Sequence, residues 1–76
     1  MQTLISQIQT YQSDTNLINK LVDKEIEYRI QKGIYEPKDQ WSPGSEPMIR
    51  SFIECSLNHT FKQSIKLLQD IEEVSK

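Results

Sequence analysis

All three prolines (Pro37, Pro43, Pro47) and both glycines (Gly33, Gly44) fall between residues 33 and 47 of a 76-residue chain. Glycine and proline are the strongest local breakers of regular structure. Confining them to one place leaves about thirty residues on each side free to run as long elements. The spacing on both sides has the 3.6-residue period of an amphipathic helix and lacks the alternation of a strand. The expected architecture is therefore all-α: two long helices in an antiparallel hairpin, the first over about 3–32 and the second over about 46–74, joined by a loop at 33–45. Residues 1–76 are read as one domain, since a chain of this length has room for no more.

The second helix is the better marked. Ser45 is a suitable N-cap, with Glu46 and Pro47 in the first turn. Ile49, Ile53, Leu57, Phe61, Leu67, Leu68, Ile71 and Val74 fall on one broad face of the wheel. Glu46–Arg50 and Glu72–Lys76 have the i,i+4 order that favours pairing.

In the first segment, Leu4, Ile5, Ile8, Tyr11, Ile18, Val22, Ile26 and Ile30 share a stripe. Gly33 is placed to end the helix as its C′ residue. Ser13-Asp14-Thr15-Asn16 interrupts that stripe with four residues that compete for backbone hydrogen bonds and favour caps. The apolar phase runs through the cluster, so a continuous helix is the expectation; a break with a new cap at Ser13 or Asp14 is the alternative. On the continuous reading Leu17, Leu21 and Tyr28 lie away from the main stripe and are candidate partner-binding residues. With a break, Leu17 and Leu21 instead widen the core face.

Two helices bury one stripe against another and leave the rest wet. Below about 70–80 residues a single core supplies only about 3–5 kcal/mol. A lone cysteine, Cys55, rules out an internal disulfide framework. Oligomerisation is the remaining common solution, so the hairpin is expected to complete a four-helix bundle by dimerisation.

The loop is longer than most helix–helix connections. It carries the only tryptophan, Trp41, with Tyr35 and Ile34, and across residues 33–47 the excess of Glu36, Asp39 and Glu46 over Lys38 accounts for the net charge of −2. Trp and Tyr dominate binding hot spots, so Tyr35 and Trp41 are candidate anchors for a partner. The competing reading folds both rings back to close the end of the helix pair. Trp41-Ser42-Pro43-Gly44 has a distant likeness to the Trp-any-Gly turn of Esx-type secreted proteins, which it resembles in position but departs from by one extra residue and a proline-rich loop. No residue role follows from it.

Candidate chemistry is sparse. Cys55 and His59 stand one helical turn apart, near Lys62 and Lys66. Two ligands are half a zinc site, and no other Cys or His exists in the chain. The adjacent carboxylates Glu25/Glu27 and Glu72/Glu73 diverge on a helix and form no acid–base dyad. No phosphate-binding glycine loop is present. A sequence pI near 5.3 gives no electrostatic footprint for nucleic acid. No apolar run approaches a membrane span, and the N-terminal residues lack the pattern of a signal peptide. The reading is a cytoplasmic, non-enzymatic interaction module without cofactor or metal, whose partner is itself or another protein.

Overall fold

The computed structural model describes residues 2–75. Those residues are all-helical: α1 (Gln2–Ser13), α2 (Thr15–Gln31), a 3-10 turn (Lys38–Gln40) and α3 (Ser45–Val74), with no strand among them. α1 and α2 both pack against α3.

The continuous first helix is broken. Asp14 adopts an extended conformation (φ −89°, ψ 98°), and its carboxylate accepts the Leu17 N–H at 3.1 Å. α1 ends just before it. The Ser13 hydroxyl bonds back to the Gln9 and Thr10 carbonyls, and the Asp14 N–H donates to Tyr11 O. α2 begins just after it, with a negative charge at its N-terminus where the helix dipole favours one. The apolar period survives because the interruption is one residue long. Local capping chemistry nevertheless decides the backbone: four short polar side chains in a row offer the main chain partners that a continuous helix does not.

The other end of α2 follows expectation. Gly33 takes a left-handed conformation (φ 76°) and donates to Ile30 O, while Ile34 N–H reaches Arg29 O at 2.9 Å. This is a Schellman cap, in which the last carbonyls are satisfied as the chain leaves the helix. The start of α3 differs by one position. Gly44 (φ 84°) occupies the cap, and Ser45 is already helical, its N–H bonded to Ser42 O. A left-handed glycine turns the chain into the helix axis here, and no side chain caps it.

The core is small. Ile18, Val22 and Ile26 of α2 meet Ile53 of α3, with Ile30, Ile49, Leu57 and Phe61 packed around them. Ile5 is buried on α1. The apolar stripe read for α3 divides: its N-terminal half is covered, whereas Leu67, Ile71 and Val74 are exposed. Charges also pair differently from the i,i+4 expectation. Glu46 bonds Lys38 at 3.3 Å, and Arg50 pairs with Asp23 across the helices, with a second contact to Asn19 O at 3.4 Å. Tertiary partners are within reach of both residues and displace the local pair. Lys76, the expected partner of Glu72, lies outside the described residues.

Candidate interaction surface

The loop aromatics are held in a network centred on Arg29. The Arg29 Nε donates to Glu25 at 3.0 Å, and Nη1 donates to the Tyr35 hydroxyl at 2.8 Å. Its guanidinium lies 5.5 Å from the Tyr35 ring centroid. The hydrogen bonds to Glu25 and then to Tyr35 raise the Arg29 pKa further, so the cation is fixed. Tyr35 meets Trp41 edge-to-face, with centroids 6.3 Å apart, a favoured geometry for aromatic pairs. The Trp41 indole N–H donates to Glu36 O at 2.6 Å. Both rings are half-buried and packed on the core cluster. The two loop candidates are thus brought together, with the polar atom of each already engaged inside the chain.

The α2 candidates are placed differently. Leu17 and Leu21 are half-buried beside the fully buried Ile18 and Val22, and Tyr28 is half exposed. The Tyr28 ring sits under the Lys32 ammonium, 5.8 Å from its centroid.

The α3 residues with chemical potential stay apart. Cys55 is exposed. The His59 ring is 3.4 Å from the Gln63 amide, and the Lys66 ammonium is held by Asp70 at 2.6 Å. Among the described residues no three His, Cys, Asp or Glu side chains converge on a point that would hold a metal ion. Among the described residues no helix is long and apolar enough to cross a membrane.

Two shallow depressions flank the α2–α3 seam. One is lined by Glu25, Arg29, Ile53, Ser56, Leu57 and Thr60. The other lies beside Asp23 and Glu27 and runs to Lys38 of the loop. Glu25 and Ser56 line the first, and Asp23, whose ion-pair partner is Arg50 of α3, lines the second.

Sequence reasoning did not single out Leu4, Tyr11, Met48 or Phe52 as surface residues, yet all four are exposed. A wheel groups apolar residues into a stripe; it does not say how much of the stripe a neighbour covers. Comparison with protein-family models, curated proteins and solved structures finds no match.

Proposed function

We propose that this chain is a non-enzymatic protein–protein interaction module of adaptor, regulator or assembly type. It acts as a helical hairpin in which α1 and α2 together form one kinked arm lying antiparallel to α3. The Asp23–Arg50 pair and the Val22, Ile26 and Ile53 contacts hold α2 against the N-terminal half of α3. That leaves the C-terminal half of α3 for α1.

One observation carries the reading: the chain exposes more surface than a self-sufficient monomer of its mass. Its accessible area is 5819 Å², against about 4,800 Å² for a folded monomer of this size. Its radius of gyration is 15.7 Å, against about 11 Å for a compact chain of this length. The excess of about 1,000 Å² is close to one partner's share of a standard protein–protein interface. Dimerisation into a four-helix bundle is the simplest way to cover it. In a purely structural role, that self-assembly is the whole function.

The test is site-directed photo-crosslinking in the cells that make the protein, from probes placed at Phe52 and at Leu67. Discrete adducts are expected. An adduct of twice the chain mass identifies self-association, and one of another mass a different protein. A chain that yields no adduct from either position is not an interaction module.

A further inference from the structure

Apolar doublets recur along the helices: Leu4-Ile5, Leu17-Ile18, Leu21-Val22, Phe52-Ile53 and Leu67-Leu68. In the first four the second member is buried, and in the fifth it is half-buried; the first member of each is more exposed than the second. The residue after each core position is of another kind. Ser6, Asn19, Asp23, Glu54 and Gln69 are all polar.

One step back along a helix rotates the side chain by about 100° from the core direction, and one step forward rotates it equally the other way. For two antiparallel right-handed helices packed together, stepping back on either turns to the same side of the pair. The leading members of all the doublets therefore gather on one side, and the polar followers gather on the other. The paired depressions agree: Glu25 and Ser56 mark the doublet side, and the Asp23–Arg50 ion pair lies opposite. Tyr28, Ile71 and Val74 extend the apolar side, each exposed.

Resting on the hairpin reading above, we infer that this one side of the helix pair is a self-association face, and that its occupant is a second copy of the same chain. Three observations select a copy rather than a different protein. The uncovered area matches one protomer's share of a standard dimer. The face carries little net charge: α1 has no charged residue along its length, Glu25 and Arg29 on this side pair with each other, and Lys32 over the Tyr28 ring adds one cation at its loop end. A two-fold interface sets one patch against itself, so a nearly neutral apolar patch meets little like-charge repulsion. Finally, charge depletion is the mark of an interface centre, whereas discrimination between different partners draws on a charge pattern that this face lacks. The loop aromatics stand outside the interface, since their polar atoms are satisfied within the chain.

Sedimentation of the full chain across a concentration series tests the assignment. Wild type is expected to form a dimer. Phe52→Glu and Leu67→Glu, each at a side chain about 60 % exposed in the single chain, should weaken it by roughly thirtyfold or more. Gln69→Glu, which adds the same charge on the opposite side, and Trp41→Ala should leave the dissociation constant unchanged. Paramagnetic broadening of the wild-type leucine methyls gives a reading independent of any variant. The Leu4, Leu21 and Leu67 methyls should become protected as the concentration rises through the dimer midpoint. A dimer that resists both face variants but is lost in Trp41→Ala places the interface in the loop and overturns the face. A wild-type monomer that gives photo-adducts of another mass overturns the second copy while leaving the interaction module standing. A monomer without adducts removes both.

Discussion

Asp14→Ala separates the two forces that contend at the start of α2. The Asp14 carboxylate bonds the Leu17 N–H at 3.1 Å, and its backbone leaves the helical region to do so. Removing an N-cap of this kind costs about 1 kcal/mol, within a range of about 0.5–2 kcal/mol. Alanine is the best helix former, so the substitution also removes the obstacle to fusing α1 with α2. If the cap is what maintains the break, the protein loses stability, because fusion would re-aim α1 relative to α3 and uncover Ile5. For a chain of this length about 1 kcal/mol lowers Tm by about 4–8 °C. Thermal melting by circular dichroism at one fixed protein concentration reads this directly, since association shifts apparent stability. Asp14→Asn, which keeps a side-chain oxygen at the cap, should lose only a small part of that. A raised Tm with increased helical signal in Asp14→Ala would show that a continuous helix is the better fold, and the argument from capping would fail.

Three further perturbations bear on the same framework. Gly33→Ala should cost about 1 kcal/mol, through the left-handed backbone alone, because nothing lies within 4 Å of the position a Cβ would take; urea unfolding measures it, and an unchanged midpoint would deny the strain. Trp41→Phe, which keeps the ring against Tyr35 and removes the N–H bonded to Glu36 O, should lower stability by about 0.5–1.5 kcal/mol and less than Trp41→Ala; equal losses in the two variants would show that the ring's packing contributes nothing beyond the hydrogen bond. The Asp23 carboxyl titrates below the ordinary carboxylate value, chiefly because Arg50 hydrogen-bonds it. A depressed carboxylate contributes stability that is present above the unfolded pKa and lost as the pH falls through the folded one. Its chemical shift should accordingly titrate at lower pH in wild type than in Arg50→Gln, and coincident curves would mean that the pair is not formed in solution.

Much of the fold is legible because its punctuation is local. Gly33 has a left-handed role at a helix end that few other residues fill, and the structure uses it as such. The 3.6-residue period finds both helical segments because burial of one face enforces it. The break at Asp14 is a closer contest. Period and capping pointed in opposite directions there, and period, being a tertiary signal, tolerates a one-residue interruption that keeps the apolar phase. The short polar run was therefore the better guide to the backbone, although the stripe remained the better guide to the core. Arg50 shows the opposite limit: its i,i+4 partner is visible in sequence, but the partner it takes, Asp23, is 27 positions away.

The surface has the same physical logic. A helical wheel merges Leu67 with Leu68 into one wide stripe, since both members are apolar and adjacent. A two-helix packing can cover only one direction from each helix, so the wide stripe must split into a covered edge and an uncovered one. Which edge is covered depends on where the neighbouring helix sits, and the sequence does not carry that placement. It does carry an asymmetry at the doublets: the residue before Ile5, Ile18, Val22, Ile53 and Leu68 is apolar and the residue after each is polar, whereas Ile26 is preceded by Glu25. Chance exposure would scatter apolar side chains on both flanks. A consistent bias to one flank, repeated on α1, α2 and α3, is what a second packing surface requires, and it gives Leu17, Leu21 and Tyr28 a common setting with Leu4, Phe52 and Leu67. On the proposed reading, Tyr35 and Trp41, packed on the core, close the loop end of the hairpin, and association falls to its long side.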